Sequence, residues 1–210
     1  MILYELENLR RMAYVRAVMS DYVVGYIGMK IPIEIFHALG LMAVPVYGID
    51  REILKFSREE KLCPLVDATI TYAKTDKCPL IHSAKMIVID DTCDLMRGKM
   101  SGLQGKCIHF YDNDRENLIA VIEEVYGRKF QAENLSSVQK ELERIHSRVK
   151  SLTNDEVQSF ILEYYVNFLD LPERMNFLDT LQGKEIRLSH EFVETIYRCP
   201  ECGGKFLREG

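Results

Sequence analysis

The sequence lacks the features that identify nucleic-acid-binding, membrane-spanning and secreted proteins. It has 27 Lys and Arg residues against 32 Asp and Glu residues and a net charge of -5, whereas phosphate binding requires a clustered excess of positive charge. No apolar run reaches the about 18 residues of a membrane-spanning helix. The N-terminal stretch is amphipathic and already charged at Glu5, Glu7 and Arg10, unlike a signal peptide. We therefore expect a cytoplasmic protein that binds neither nucleic acid nor membrane.

Internal repeats and low-complexity tracts are also absent, so the chain reads as an ordinary globular sequence of 210 residues, 47% of them hydrophobic. In its first part, short apolar runs alternate with helical patterns through short connections, which favours parallel pairing of strands. The predicted strands are residues 23–27, 41–48, 85–89 and 106–111. The pattern predicts an α/β fold in which helices flank a parallel sheet.

The pattern becomes helical after Gly127, where a helix capped by Asn113 is predicted to end. Amphipathic helices are predicted at residues 135–152, from Asn154 onward, and between Pro172 and Gly183. The predicted organisation is therefore an α/β cluster-binding domain at 1–127, a helical appendage at 128–183 and a short Cys-x-x-Cys tail at 184–210.

Three of the six cysteines lie close together in the sequence, at positions 63, 78 and 93. Ser57 and Glu60 form a capping-box pattern, which predicts a helix starting there and places Cys63 near its first turn. Cys78 precedes a proline in a predicted loop, and Cys93 follows the strand that the sequence predicts most clearly. Disulfides are rare in the cytoplasm.

These three cysteines are either buried core residues or ligands of one metal site, and we favour ligation because of their predicted loop positions. Three thiolates leave one coordination position open, which suits an iron–sulfur cluster or a catalytic zinc ion. Their spacing does not choose between these metals.

The tail contains a second thiol pair, Cys199 and Cys202, in a Cys-x-x-Cys-Gly-Gly motif typical of a metal knuckle. This half-site could bind zinc together with His190 or with another chain. A redox dithiol is the second interpretation, and a fourth ligand for the main site is the third.

Two polar residues stand on the predicted helix after Pro32. Glu34 interrupts an otherwise apolar stretch and is a candidate general base, with a solvated helix position as the alternative interpretation. His37 is expected to be a packed core histidine rather than a ligand.

The stretches around these residues resemble a known family. Residues 24–48, VGYIGMKIPIEIFHALGLMAVPVYG, resemble the opening motif of the 2-hydroxyacyl-CoA dehydratase D-component family. LCPLVDATITYAKTDKCP, followed by IVIDDTCD, is similar to the cysteine region of its double-cubane cluster protein branch. Together the motifs cover about residues 23–100. One departure is Ile33, which replaces the first of two acids that the family carries after the proline.

The resemblance implies a flavodoxin-like α/β lobe and a cysteine-ligated iron–sulfur cluster of the 4Fe-4S type. It implies that Cys63 and Cys93 are the paired cluster ligands, with Cys78 a further ligand as in the double-cubane branch. Glu34 corresponds to the second family acid. The chain resembles a short, single-lobe member, with the appendage and tail in place of a second lobe.

The function implied is that of an iron–sulfur protein in an anaerobe, acting in low-potential electron transfer or in the reductive dehydration of a 2-hydroxyacyl-CoA, a lyase reaction. Its implied partners are an ATP-dependent iron–sulfur activator, a second dehydratase-like subunit or a second copy, and a small acyl-CoA. The alternative is a non-catalytic zinc-binding scaffold that uses Cys199, Cys202 and the 135–152 helix face. An enzyme remnant without its cluster is a third hypothesis.

Overall fold

In the described part of the chain, short apolar runs form four strands, and longer amphipathic stretches form the helices between and after them. The computed structural model describes residues 2–49, 51–57, 63–75, 77–91, 93–102, 107–184 and 186. The strands are β1 (Val23–Ile27), β2 (Met42–Pro45), β3 (Met86–Asp90) and β4 (Cys107–Tyr111). The helices are α1 (Ile2–Met19), α2 (Ile33–Ala38), α3 (Pro64–Lys74), α4 (Pro79–Ser83), α5 (Asp94–Met100), α6 (Arg115–Tyr126), α7 (Ala132–Leu152), α8 (Glu156–Val166) and α9 (Leu171–Thr180), with a 3₁₀ helix at Arg51–Phe56.

All four strands pair in parallel, in the order β2-β1-β3-β4. In register, Tyr26 of β1 lies beside Pro45 of β2 and Val88 of β3, and Val88 lies beside His109 of β4. Every residue of β1, β2 and β3 is buried, as in parallel sheets covered on both faces. The predicted α/β class is confirmed, and the strand order is that of the first four strands of a flavodoxin-like sheet.

The N-terminal helix α1 buries one apolar stripe and exposes another. Its buried residues are Leu6, Leu9, Ala13 and Ala17, the helical spacing seen in the sequence. Its exposed apolar residues are Tyr4, Met12, Tyr14, Val15, Val18 and Met19. Within the described ranges, no helix is both long enough and apolar enough to cross a membrane.

The later helices pack directly on the sheet region. Helix α7 contacts α2 and α9, and α8 contacts α1. Their buried side chains, such as Ile145, Val149 and Ile161, belong to the same hydrophobic cluster as those of the strands. The helices predicted in this part of the chain are confirmed, while the proposed domain boundaries stay a prediction. The tail beyond residue 186 lies outside the described residues.

Two local predictions near the cysteines were wrong. Helix α3 begins at Pro64, with Cys63 as its non-helical N-cap residue, rather than near Ser57. The Ser57 hydroxyl instead donates to Asp67 Oδ1 at 2.5 Å. The predicted loop at Cys78 is in fact the start of α4. In both cases the proline occupies the first helical position, where its missing N–H costs nothing and its ring disfavours helical geometry in the preceding residue.

The cap of α6 also differs from the prediction by one residue. The Asp114 side chain, rather than Asn113, accepts a hydrogen bond from Asn117 N at 3.0 Å. Asn113 adopts a left-handed conformation with φ of 73°, which Asn tolerates better than most residues. The predicted end of this helix at Gly127 is confirmed, with φ of 66°.

Candidate functional site

Parallel sheets bind ligands at the carboxyl edge, where the connections from neighbouring strands diverge. In this sheet the divergence lies between β1 and β3. Gly28, directly after β1, has φ of 116°, and a Cβ atom there would lie 2.3 Å from Asp90 Cβ. Asp90 is 3% exposed and its Oδ2 accepts a hydrogen bond from Lys30 N at 3.2 Å. The connection after β1 therefore folds tightly over the end of β3.

Cys63 and Cys93 occupy equivalent positions on two helices that pack together, α3 and α5. Each is the N-cap residue of its helix and is partly buried. The Cys63 carbonyl accepts from Asp67 N, and the Cys93 carbonyl accepts from Arg97 N, both at 2.9 Å. An N-cap side chain lies beside backbone N–H groups that lack helical partners, an environment that stabilises a thiolate. Both residues therefore fit the chemistry of a thiolate ligand.

Cys78 lies in a different environment from these two. It is the N-cap residue of α4, is only 2% exposed and belongs to the hydrophobic core. Its neighbours include Tyr164, whose pKa is raised mainly by burial. Arg10 lowers the pKa of Tyr164 and Cys78 raises it, both by smaller amounts. The structure thus places Cys78 near α1 and α8. Its role as a ligand stays a prediction.

The described part of the chain does not complete a metal site. Among its residues, no group of three or more His, Cys, Asp and Glu side chains is arranged to hold a metal ion. Cys199, Cys202 and His190 lie outside the described residues, so the zinc and redox hypotheses for the tail stay predictions. A cluster bound through Cys63 and Cys93 needs further ligands beyond this pair.

Glu34 lies in the first turn of α2 and forms an ion pair with Arg115 Nη2 at the start of α6. Its side chain is 17% exposed. Nearby Tyr111 has its pKa raised by burial, an effect that Arg115 opposes and Glu34 reinforces. The ion pair holds the Glu34 side chain at the carboxyl edge of the sheet. Its role as a general base stays a prediction.

A cavity of about 290 Å³ lies beside the ends of β1 and β2, under the helices α7, α8 and α9. We call it the arginine cavity; its lining includes Tyr26, Gly28, Met29, Tyr47, Phe160 and Arg174. It adjoins a more open cleft of about 500 Å³, with which it shares Met29, His146, Phe160 and Glu163. The sequence reasoning missed this cavity, because its walls come from distant segments and carry no motif.

Arg174 is the most unusual side chain of the arginine cavity, since it is fully buried. Its Nε donates to Leu169 O at 3.1 Å, and its Nη1 donates to Asn167 Oδ1 at 2.6 Å. The Asn167 amide in turn donates to the Tyr26 hydroxyl at 3.0 Å. Burial lowers the pKa of Arg174 to about 10 and raises that of Tyr26, so Arg174 stays charged and Tyr26 neutral at neutral pH.

Comparison with protein families matches residues 29–155 to the model of the 2-hydroxyglutaryl-CoA dehydratase D-component. The match covers more than half of the chain and includes Glu34, Cys63, Cys78 and Cys93. The chain belongs to this family. The resemblance predicted from the sequence motifs is therefore confirmed at the level of the family.

A relative in Escherichia coli (strain K12), named as the dehydratase subunit YjiM, is 32% identical over 66 residues. This region covers 30% of the present chain and 17% of the relative. The chain thus aligns with less than a fifth of that protein's length. The family match ends before α8 and α9; Asn167 caps the end of α8, and Arg174 lies in α9.

Proposed function

We propose that this chain is an iron–sulfur protein that acts in low-potential electron transfer or in the reductive dehydration of a 2-hydroxyacyl-CoA. The observation that carries the proposal is the equivalent placement of Cys63 and Cys93, each at the N-cap of one of two packed helices within the family region. Thiolates are the protein ligands of iron–sulfur clusters, and helix starts favour them over thiols.

In this proposal Cys63 and Cys93 hold a cluster of the 4Fe-4S type. The remaining ligands come from Cys78 or from Cys199 and Cys202 in the tail. If the two tail cysteines do not bind the cluster, they bind zinc. When bound, such a cluster supplies one-electron chemistry at low potential. Backbone N–H groups at the starts of α3 and α5 stabilise the negative charge on the two sulfur atoms.

Glu34 is the proposed proton acceptor. Its ion pair with Arg115 fixes the side chain at the sheet edge. The pair lies beside Tyr111, the last residue of β4. A carboxylate held in this way can accept a proton from a bound substrate without rearrangement of the backbone.

The proposed partners are an ATP-dependent iron–sulfur activator and either a second dehydratase-like subunit or a second copy of this chain, in an anaerobic cytoplasm, with a small acyl-CoA as substrate. The exposed apolar stripe of α1, with Val15, Val18 and Met19 each more than half exposed, supports a protein contact. An apolar stripe of this kind is typical of surfaces that are covered in an assembly.

Anaerobic purification followed by iron, sulfide and zinc determination tests this function. The wild-type protein should be brown, with absorbance near about 400 nm and comparable amounts of iron and sulfide. Cys63→Ser and Cys93→Ser should each lose most of the iron. Cys107→Ser is the matched control, because Cys107 is exposed at the start of β4 and outside the proposed ligand set.

A colourless wild-type preparation would contradict the proposal, as would equal iron contents in Cys63→Ser and Cys107→Ser. Zinc without iron or sulfide would instead support the zinc-binding scaffold, and no metal at all would support a remnant that has lost its cluster. Cys78→Ser and Cys199→Ser then identify which thiol completes the site.

A further inference from the structure

Among the described residues no carboxylate contacts the buried guanidinium of Arg174, although Glu163 and Asp170, from farther away, oppose the lowering of its pKa by burial. Its two hydrogen bonds are accepted by neutral groups, the Leu169 carbonyl and the Asn167 amide oxygen. Its Nη2 atom is buried and has no hydrogen-bond partner in the described part of the chain. A buried charge without an ion pair costs several kcal/mol, so a folded protein keeps one only when something compensates for that cost.

A second hydrogen-bond donor lies on the same wall. Tyr26 is 4% exposed, and its hydroxyl oxygen already accepts a hydrogen bond from the Asn167 amide. Its proton is therefore available for an acceptor in the cavity. Asn167 links the two groups, because it accepts from Arg174 and donates to Tyr26. The result is a fixed pair of donors, one of them charged, at the interior end of the arginine cavity.

The rest of this cavity is largely apolar. The rings of Tyr47, Tyr164 and Phe160 pack together in its wall, with centroids 5.3 Å apart for Tyr47 and Tyr164 and 6.3 Å apart for Tyr47 and Phe160. The Tyr164 hydroxyl donates to Tyr47 O at 3.0 Å, which leaves the ring faces as the contact surface. A ligand that fits this shape has an apolar body and one negatively charged end.

Negative side chains lie at the outer side of the cavity. Glu163 is 24% exposed, and its carboxylate is 3.0 Å from His146 Nδ1. Solvent screens the field of this partly exposed carboxylate more than that of Arg174, which is buried. The adjoining cleft carries Lys150 but also Asp155, Glu156 and Glu163, so the cleft itself does not attract anions. The positive charge that selects an anion is consequently that of Arg174, at the buried end of the cavity.

We propose that the arginine cavity binds a small organic carboxylate with an apolar body. One carboxylate oxygen accepts hydrogen bonds from Arg174 Nη2 and from the Tyr26 hydroxyl, and the body lies against Tyr47 and Phe160. Entry is through the cleft beside His146 and Lys150. This site involves none of the predicted cluster ligands, so it does not depend on the proposed function.

Calorimetric titration of the full chain with benzoate and with butyrate tests the site. The neutral isosteres benzamide and butyramide are the ligand controls, because they match the carboxylates in size but carry no charge. At least one carboxylate should bind, and it should bind about tenfold or more tightly than its amide, since hydrogen bonds to charged groups contribute about 1.5–3 kcal/mol.

Three variants assign the binding to the cavity. Arg174→Met should reduce carboxylate affinity to that of the amide, and Tyr26→Phe should reduce it about fivefold. Arg144→Met is the matched control and should bind like the wild type, because Arg144 is two-thirds exposed on α7 and pairs with Glu141. Circular dichroism tests whether each variant is folded. If Arg174→Met is unfolded, the affinity of Tyr26→Phe for the carboxylate decides whether the ligand binds in the cavity.

The proposal is overturned if neither carboxylate binds at about 10 mM, which would mean that water alone satisfies Arg174, or if amides bind equally well. Unchanged affinity in Tyr26→Phe also overturns it. Iron content is measured on the same preparations. A colourless protein that binds benzoate would support the carboxylate site and contradict the proposed cluster. A brown protein that binds neither carboxylate would support the cluster and contradict the carboxylate site.

Discussion

Two regions at the carboxyl edge of the sheet hold their reactive groups in opposite ways. The cysteine region, formed by Cys63 and Cys93, places partly exposed thiols at helix starts within the family match. The arginine cavity places a fully buried cation between two neutral acceptors, on helices that follow the end of that match.

This difference separates chemistry that is carried by local motifs from chemistry that is created by packing. A thiol at an N-cap needs only its own helix to stabilise its charged form. A buried guanidinium needs several distant segments to enclose it, and it must be paired or bound to a ligand to offset the cost of enclosure. Variants that affect one region and spare the other test whether the two are independent.

Gly28→Ala should have the largest effect on stability, because Gly28 lies in a tight turn at the edge of the arginine cavity. It lines the arginine cavity, and an added Cβ would lie 2.3 Å from Asp90 Cβ in a backbone with φ of 116°. We expect a loss of about 2–4 kcal/mol in the free energy of unfolding, measured by urea denaturation.

Gly98→Ala is the control for this substitution. Gly98 lies inside α5, and an added Cβ would meet nothing within 4 Å. Because alanine favours helices more than glycine, this variant should gain up to about 1 kcal/mol. Equal free energies of unfolding for the two variants would contradict the tight packing of Gly28 against Asp90, between the ends of β1 and β3.

Part of the loss of folding stability at acidic pH should come from His37, whose pKa is lowered by burial and in part by the positive charge of Arg174. Burial and the nearby Arg174 lower the pKa of His37 well below 6.5, while its hydrogen bond to Leu41 O opposes the shift. The folded protein therefore keeps this ring neutral, whereas the unfolded chain binds a proton below about pH 6.5. The contribution of neutral His37 to the free energy of unfolding is fully present above that pH. Below it, this contribution falls by about 1.4 kcal/mol per pH unit, down to the pKa of His37 in the folded protein.

His37→Asn should flatten this dependence between about pH 6.5 and 5.5, because asparagine keeps a donor for Leu41 O but does not titrate. His109→Asn should flatten it less, since Asp112 and Asp114 counteract the lowering of the His109 pKa by burial. Urea denaturation across this range measures both slopes. An unchanged slope in His37→Asn would show that the folded protein does not lower the pKa of His37.

The smallest effect is expected at an ion pair beside the cysteine region. Arg97 Nη1 contacts both carboxylate oxygens of Asp91 at 2.8 Å, and its side chain is 52% exposed. Surface pairs of this kind contribute about 0–1 kcal/mol, so Arg97→Ala should cost less than about 1 kcal/mol in urea denaturation. A larger loss would show that the segment around Cys93 depends on this pair.

Much of the fold could be predicted because its signals are local. The strands and most helices follow apolar patterns within single segments, and the Gly127 cap follows from one residue. The starts of α3 and α4 were misplaced, since Pro64 and Pro79 determine them more strongly than the capping-box pattern at Ser57. The cysteine region was found for the same reason, through short motifs.

The sequence by itself determined the α/β class, the order of elements and the family, because each of these depends on residues near one another in the chain. Only the tertiary structure decided the arginine cavity. Tyr26 and Asn167 are 141 residues apart in sequence, and the burial of Arg174 depends on how α9 packs beside α7 and α8. An arginine on an amphipathic helix is usually solvated, and burial changes its chemistry only when distant segments close over it.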